Sequence, residues 1–475
     1  MTDISLSNIM NLRAIILGVH EMKYNYEENV KIRAYSQRDH LFRNVDNRDI
    51  NLPPGYDIEV FAVGLDTPID IEFSENGDLY IADSGIASGN PKLIRLKNGL
   101  FEVIADNFNT PITGISVLDG NIYVSHKGYI TLISSNGTRQ NIISGLPCNG
   151  DFGISNIAFG ADGKIYFGLG TATNSGVVGS DNRWVFEHPL LHDEPASEIT
   201  VNGQNFESNN ILNLYGENVF TGCFSAYGVS NSQFETKKGV LKASGSILRA
   251  NRNGTQLELV AWGFRNPIRL KFDRDFQLFV ANRSYDVRGS RPVANAPDEF
   301  HNVMFGVWYG WPDYSVGEPL TSPRFKPEGG RQPELLLTEY PNTPPKPFAE
   351  FAPHSSIMGY DFNYNRNFGQ DGDIYIAEYG SLGPTTMGPS TPYAGIGHRI
   401  SKIDRNTREI STFISNKSGL PALTTRDPGF GRLVDVTFGP DGAMYLLDMG
   451  ISDPSDVNRY IANTGVIWRV TRSNR

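Results

Sequence analysis

The feature that most constrains this 475-residue chain is a short pattern that it repeats six times. Each copy has apolar residues at every second position, then a tight turn, then a segment centred on an aromatic residue. In the first copy Ile69, Ile71 and Phe73 alternate with polar residues, which indicates a β-strand and not a helix. The copies begin at Ile69, Thr113, Ser155, Ile268, Met358 and Val434.

Glycine explains most of the turns between the paired strands. A tight two-stranded turn requires a residue at positive φ, which glycine adopts at little steric cost. Five copies supply one, at Gly77, Gly120, Gly163, Gly372 and Gly442. The fourth copy has Asp275-Phe276 and lacks glycine, so we expect a different turn there.

Further strands follow most copies, as in the segments that begin at Lys92 and Leu100. Four strands per unit and six units predict an all-β fold, a six-bladed β-propeller. The last unit lacks a fourth strand, whereas an orphan strand, Tyr56–Leu65, precedes the first unit. We therefore expect this N-terminal strand to close the ring, which removes the open sheet edge. Two packed β-sandwiches are the alternative fold.

The spacing of the copies predicts where the loops are long. Successive copies begin 44, 42, 113, 90 and 76 residues apart, and the first two spacings are ordinary blade lengths. We predict a long insertion in the third blade at about 171–245, and others in blades four and five, including the Pro-rich stretch 317–351. The domain assignment is a propeller at 51–475 and an N-terminal extension at 1–50, in which Leu6, Ile9 and Ile16 indicate a short amphipathic helix.

Composition excludes several classes of function. A net charge of −10 argues against a nucleic-acid binder, which needs a basic face. No run approaches the roughly 18 apolar residues of a membrane span, and no standard signal peptide is visible, so we expect a soluble protein, cytoplasmic or exported by a non-classical route. The two cysteines are expected to be free thiols. Residues 1–50 and the insertions could contact a protein partner.

The residues just before each innermost strand should meet at one mouth of the central channel. This set is polar and includes two arginines, a histidine and two aspartates. Such a mouth suits an anionic or polyhydroxylated small molecule, because arginine offers a rigid fork to carboxylates. Alternatively, these residues cap strands and bind water. The segments are 66–68, 109–111, 151–153, 265–267, 354–356 and 431–433.

Other constellations are weaker. No His-x-x-x-His pair suited to zinc occurs among the eight histidines. An acidic and histidine-rich group lies in the blade-three insertion, where a solvated loop is a more ordinary interpretation than a metal site. Its members are Asp181, Glu187, His188, His192, Asp193 and Glu194.

Three motifs resemble the soluble glucose/sorbosone dehydrogenase family. The segment from Trp262 to Leu270 contains Arg-Asn-Pro before the fourth inner strand, Asp298-Glu299 follows, and Tyr309-Gly-Trp-Pro comes next at the family's spacing. The resemblance covers roughly 52–470. It implies a six-bladed propeller that uses pyrroloquinoline quinone (PQQ) and calcium and oxidises a sugar hydroxyl by hydride transfer to the quinone.

The resemblance also implies roles for single residues. Arg265 and Asn266 would face the quinone, and Arg399 and Arg432 would be further anion contacts. The Glu299 carboxylate and the Tyr309 carbonyl would help to hold a structural calcium, which prefers hard oxygen ligands. The expected ligand is a sugar or another polyhydroxylated molecule.

This sequence departs from the family at two polar positions. The family's general base is a histidine after an aspartate, but the corresponding pair is Asp151-Phe152, and phenylalanine cannot accept a proton. The family's glutamine after Arg-Asn-Pro is Ile268. Three possibilities stay open: the activity is lost, another group such as His354 or Asp151 serves as base, or the propeller is a non-catalytic module that binds a carbohydrate or a protein partner.

Overall fold

The computed structural model describes residues 43–213, 215–381, 395–425, 427–453 and 456–473. The predicted amphipathic helix around Leu6–Ile16 lies outside these residues. Six antiparallel sheets, five with four strands and one with five, dominate the described chain. Their innermost strands contact one another in a cycle, from the first sheet through to the sixth and back to the first. The predicted six-bladed propeller is confirmed.

The strands of blades 1 to 5 follow chain order from the channel outward, whereas blade 6 takes its outermost strand from the N-terminal side of the propeller. The innermost strands are Pro68–Phe73, Ile112–Leu118, Ile154–Phe159, Asn266–Phe272, Ile357–Phe362 and Leu433–Phe438. The second strands are Leu79–Asp83, Asn121–His126, Lys164–Leu169, Leu278–Arg283, Ile374–Glu378 and Met444–Asp448. The third strands are Lys92–Lys97, Tyr129–Ile133, Ser246–Asn251, Pro297–Asn302, Arg399–Ile403 and Gly465–Arg472. The outermost strands are Leu100–Ala105, Arg139–Ser144, Glu258–Trp262, Ala349–Pro353, Ile410–Asn416 and, in blade 6, Tyr56–Leu65.

The N-terminal strand closes the ring, as the orphan segment predicts. Tyr56–Leu65 pairs antiparallel with Gly465–Arg472, from Tyr56 opposite Arg472 to Leu65 opposite Gly465. A shorter strand, Ile50–Asn51, pairs with the outer edge of blade 5. The propeller sheets therefore begin at Ile50, and both edge strands come from the start of the described chain.

The turn of the fourth copy differs from the sequence expectation. Gly77 closes the first hairpin with φ +82°, and its N–H donates to the Ser74 carbonyl. Phe276 adopts the same left-handed region, with φ +56°, and its N–H donates to the Asp273 carbonyl in the same way. The expectation of a different turn is wrong, because the hairpin imposes its backbone geometry on phenylalanine.

The insertions fold as short hairpins and single turns on the propeller. The hairpins pair Ile199–Thr200 with Thr236–Lys237, Asn205–Ser208 with Val219–Gly222, Tyr314–Ser315 with Glu318–Pro319, and Ser452–Asp453 with Asp456–Tyr460. Three 3-10 turns, Asn47–Asp49, Arg183–Phe186 and Pro323–Phe325, and one helical turn, Ala422–Thr425, complete the described elements. No described helix has the length and apolar character needed to span a bilayer.

A buried ion pair lies in the loops of blade 4, and one of its members also contacts the blade-3 insertion. Arg291 and Asp313 are fully buried, with 2.9 Å between Nη2 and Oδ1. Arg291 also donates to the Ser175 carbonyl of the blade-3 insertion at 3.0 Å, while Asp313 accepts from the Leu336 and Leu337 N–H groups. The ion pair therefore connects separate loops of blade 4, and the Arg291–Ser175 hydrogen bond attaches the blade-3 insertion to them.

The strained turn generates a stability prediction. Phe276 is 62% exposed, so its ring contributes little packing while its backbone occupies an unfavourable region. Phe276→Asn should raise the free energy of unfolding by about 0.5–1 kcal/mol, because asparagine tolerates left-handed φ. Urea denaturation followed by fluorescence measures the change. Gly163→Ala is the matched control at an equivalent turn with open space around it; it should destabilise by about 1 kcal/mol, and equal effects of the two variants would contradict the explanation.

Candidate active site

The second strand of a blade positions the mouth residues that precede the innermost strand. In blade 4, Asn282 Oδ1 accepts hydrogen bonds from the N–H groups of Arg265 (3.2 Å) and Asn266 (3.1 Å). In blade 6, Asp448 accepts from the N–H groups of Gly431 and Arg432 at 2.7 and 2.8 Å. These caps satisfy backbone donors that a bend would otherwise leave unpaired. The mouth residues predicted from the repeat are therefore held on fixed backbone.

Phe152 lies over Arg265. The ring centroid is 4.4 Å from the guanidinium carbon, within the range of a cation–π contact. Gly170 makes room for this residue, since a Cβ there would lie 2.3 Å from the Phe152 Cβ. Arg265 is 2% exposed and donates to the carbonyls of Asn174 and Ser284 and to the Asp286 carboxylate. Phe152 and these acceptors together keep Arg265 away from solvent.

Arg288 links three aspartates across the mouth. Its guanidinium lies 2.5 Å from Asp151, 2.7 Å from Asp181 and 3.3 Å from Asp286. The other oxygen of Asp151 accepts from Asn182 (3.1 Å) and from the Trp184 indole (2.9 Å). Both oxygens of Asp151 are thus engaged. Sequence reasoning missed Arg288 because its loop carries no recognisable motif.

His354 faces Asp286, with 3.3 Å between Nδ1 and Oδ1. Its backbone has φ +63°, an uncommon conformation for a non-glycine residue that is often found at functional sites. Burial raises the pKa of Asp286, but Arg265, His354 and Arg288 outweigh it and hold that pKa well below its usual range. Asp286 therefore stays ionised and joins Arg265 of blade 4 to His354 of blade 5.

Arg432 and Arg283 have no carboxylate within salt-bridge distance among the described residues. Arg432 is 4% exposed, covers the Tyr379 ring at 4.1 Å and donates to the carbonyls of Tyr379 (3.1 Å) and Gly380 (3.0 Å). Its Nε is buried with no hydrogen-bond partner in the part of the chain described. Burial lowers the pKa of Arg432 most, Tyr379 and Asp448 oppose this shift, and repulsion from Arg283 adds to it. The two cations are therefore close enough to interact.

Arg283 is a mouth residue that sequence reasoning missed. It ends the second strand of blade 4, opposite Asn266, and donates to the Ser356 hydroxyl at 3.1 Å. The position of Asp83 and Asp448 in blades 1 and 6 corresponds to Asn282, and Arg283 stands one residue further along, where those blades have Ser84 and Met449. The signal available in the sequence is a charged residue directly after the capping position of the second strand.

The remaining predicted quinone contacts are Arg399 and Asn266. Arg399 begins the third strand of blade 5 and its guanidinium is 2.9 Å from Glu378, so its charge is balanced two strands out from the channel. Asn266 begins the innermost strand of blade 4 and is 4% exposed. The structure brings together Asp151, Phe152, Arg265 and His354 through Arg288 and Asp286, and does not bring Arg399 to them.

The predicted calcium residues form a hydrogen-bonded group. Glu299 accepts from the Val316 N–H at 2.6 Å and from the Asn282 amide at 2.8 Å, and His301 Nε2 lies 3.2 Å from the same carboxylate. The His301 ring packs edge-on against Tyr309. Among the described residues, no group of three or more His, Cys, Asp or Glu side chains is arranged to hold a metal. The calcium role of Glu299 and Tyr309 stays a prediction.

The acidic group of the blade-3 insertion does not form a single site. Asp193 is buried and accepts from the N–H groups of Ala172 and Thr173, so it shapes the loop after the second strand. Asp181 pairs with Arg288, and His192 bonds locally to the Leu190 carbonyl. These residues therefore have structural partners of their own.

Charged side chains line the channel below the mouth. Arg269 is buried 2.5 Å from Asp70 and 3.9 Å from Asp435, so blades 1, 4 and 6 share one ion cluster. Further along the innermost strands Lys271 pairs with Asp361 at 2.6 Å. Burial raises the pKa of Glu72 to about 7, against the opposing charge of Lys271. The channel is polar along its length.

Three solved structures illustrate what this fold is similar to. The pyranose dehydrogenase PQQ domain of Coprinopsis cinerea, in holo form, aligns with a TM-score of 0.55 and 13% identity over 90% of this chain and 98% of that one. Two structures of a Trichoderma reesei carbohydrate-active enzyme of family AA12 follow. The iodide structure has a TM-score of 0.53 and 15% identity over 90% of this chain and 99% of that one. The calcium structure has a TM-score of 0.53 and 14% identity over 91% and 99%.

These alignments show that the chain shares the six-bladed architecture of sugar dehydrogenases and AA12 enzymes. No family model matches the sequence, and no curated protein matches it. At such low identity the similarity concerns the fold alone.

The channel generates a pH-dependence prediction. A buried acid whose pKa is raised on folding binds its proton more tightly in the native state, so its stabilising effect is lost as pH rises from the unfolded pKa near 4.5 through about 7. Glu72→Gln should therefore leave stability at pH 5 nearly unchanged and raise it at pH 8 by about 2 kcal/mol. Urea denaturation at both pH values measures the difference. Glu75→Gln, in the exposed turn that follows, is the control, and an equal response of the two variants would contradict the assignment.

Proposed function

We propose that the protein is a sugar-oxidising dehydrogenase of the quinone-dependent class, and that its channel mouth binds a carboxylate-bearing quinone cofactor through Arg283 and Arg432. The observation that carries the proposal is the lack of an ion-pair partner for these two arginines. Arg432 is buried and Arg283 is partly buried, and removing a guanidinium from water without an ion-pair partner costs free energy. A bound carboxylate would supply the missing charge and accept from the Arg432 Nε.

PQQ fits this donor set in its chemistry. It carries three carboxylates, and arginine is the side chain best suited to bind such groups through paired N–H donors. The holo structure of a pyranose dehydrogenase PQQ domain has the same fold, which supports the choice of this quinone. Bound there, PQQ would supply a two-electron acceptor for hydride from a sugar carbon.

The chain's own residues would perform the binding and orientation. Arg283 and Arg432 would hold carboxylates, and Tyr379, stacked on Arg432, would support that guanidinium. Phe152 would exclude water from Arg265. Water exclusion strengthens electrostatic contacts inside a site. Arg265 would reach a ligand only if Phe152 moved aside.

Calcium does not fit the residues assigned to it in this arrangement. Asn282 uses its oxygen to accept from two backbone N–H groups, so its NH₂ group must face Glu299. With the Val316 N–H and His301, three donors point at one carboxylate. A cation beside Glu299 would face these donors. We therefore assign no step to calcium.

A second function is favoured by one observation. Phe152 occupies the position of the expected base and stacks on Arg265, an arrangement that a binding site without catalysis could keep. In that case the mouth would bind an anionic or polyhydroxylated ligand, a sugar acid for example, without oxidising it. Both functions predict ligand binding at Arg283 and Arg432, and only the first predicts turnover.

The binding prediction concerns the two arginines. Arg432→Gln and Arg283→Gln should each weaken PQQ binding about 10- to 100-fold, the usual loss for a charge-assisted hydrogen bond. Quenching of intrinsic fluorescence by added PQQ measures the dissociation constant. Arg399→Gln, whose charge is balanced by Glu378, should leave it within about threefold. If the wild-type protein bound no PQQ at micromolar concentration, the quinone proposal would be wrong.

The turnover prediction separates the two functions. The PQQ-loaded wild-type protein should reduce an artificial dye when supplied with aldoses. If it binds PQQ without reducing dye, the binding function is favoured, and Phe152→His should then add a base beside Arg265 and produce dye reduction. Phe152→Leu is the control, since it removes the ring without adding a proton acceptor.

A further inference from the structure

We propose that His354, oriented by Asp286, is the general base that removes the sugar hydroxyl proton. This inference rests on the proposed dehydrogenase function, since a base is needed only if a hydroxyl is oxidised. The two residues come from neighbouring blades, and neither stands at the family's histidine position, which Phe152 occupies. The mouth would therefore keep base catalysis while changing the blade that supplies it.

The carboxylates at the mouth are poor candidates for this role. Asp151 is engaged at both oxygens by Arg288, Asn182 and Trp184, so proton transfer to it would break a charge-assisted bond. Asp286 is held between Arg265 and Arg288, which keeps it ionised and weakens it as a base. An imidazole is the side chain whose ordinary titration range suits general-base catalysis near neutral pH.

The geometry resembles that of a histidine held by a carboxylate. Asp286 Oδ1 lies 3.3 Å from His354 Nδ1, so Asp286 would fix the tautomer with the proton on Nδ1 and would stabilise the imidazolium. The other oxygen of Asp286 accepts from Arg265 at 2.5 Å, which fixes the carboxylate in turn. His354 lies in a short loop between blades 4 and 5, and its backbone has a positive φ.

Charged groups surround this pair on every packed element. Arg265 and Arg288 face Asp286 from blade 4, and Asp298 interacts electrostatically with both His354 and Arg283. The side chain of His354 is 12% exposed, and its Nε2 atom is shielded from solvent. A sugar hydroxyl would therefore reach Nε2 only after displacing the groups that cover the ring.

The step balances with the quinone as oxidant. The hydroxyl O–H bond would break and Nε2 of His354 would take its proton, since Nδ1 faces Asp286. A bound quinone would supply the two-electron acceptor for the hydrogen and electron pair of the C–H bond on the same carbon, so that the carbon–oxygen double bond can form. The imidazolium would then release its proton to solvent.

The test uses full-length protein loaded with PQQ. His354→Gly should lower kcat for dye reduction by about 10²–10⁴-fold, the usual loss for a general base, while PQQ affinity by fluorescence quenching stays within about threefold. Glycine suits the positive φ and leaves a space the size of an imidazole. Added imidazole should restore at least a tenfold gain in rate. Asp286→Asn should lower kcat with little change in PQQ affinity, and should lie between wild type and His354→Gly.

A matched control is available at His398, a second histidine with positive φ (+57°), which bonds to the Ser381 carbonyl. His398→Gly should show no imidazole rescue. Full turnover in His354→Gly, or loss without rescue while PQQ binding is retained, would overturn the assignment of the base alone. A wild-type protein that binds no PQQ would overturn the dehydrogenase function, and the base with it.

Discussion

The pairing of Tyr56–Leu65 with Gly465–Arg472 is the constraint on which the rest of the molecule depends. It closes the ring, so the six innermost strands contact one another in a cycle and their starts meet at one mouth. Side chains beside the channel also link neighbouring blades. Asp435 of blade 6 accepts from the Ile71 N–H of blade 1, and Asp70 accepts from the Ile115 N–H of blade 2. An open ring would leave these buried carboxylates without their donors, which is costly.

The closed ring also brings together charges that are balanced at some positions of the mouth and unbalanced at others. Arg288 and Asp286 bind the blade-3 insertion, blade 4 and blade 5 to one another, so Asp151, Asp181, Arg265 and His354 form a balanced network. Arg283 and Arg432 lie beside that network and share in none of its carboxylates. The Arg432 backbone is fixed by its hydrogen bond to Asp448, and Arg283 is fixed by the strand pairing opposite Asn266, so the scaffold can hold two like charges near each other. The uneven division leaves these two arginines without an ion-pair partner among the described residues.

The sequence predicts the scaffold well because strands alternate apolar and polar residues, and this alternation is visible in a single sequence. The innermost strands, the closing strand and the mouth segments all follow from that period. It does not predict which mouth residues form pairs, because Arg288 and Asp286 lie in an insertion without a motif and their partners come from three blades. Arg283 was missed for another reason: the residues at the end of a second strand were read as strand and not as mouth. The turn at Phe276 shows that hairpin geometry can prevail over local preference.

Phe152 has consequences that differ for the two sides of the mouth. Phe152 offers no proton acceptor, but its ring covers Arg265, whose donors are already engaged by Asn174, Ser284 and Asp286. On that side the charge and donors of Arg265 are satisfied within the protein. On the other side Arg432 has a buried Nε with no acceptor among the described residues. An unpaired buried donor costs free energy, so an acceptor supplied at Arg432 would be stabilising.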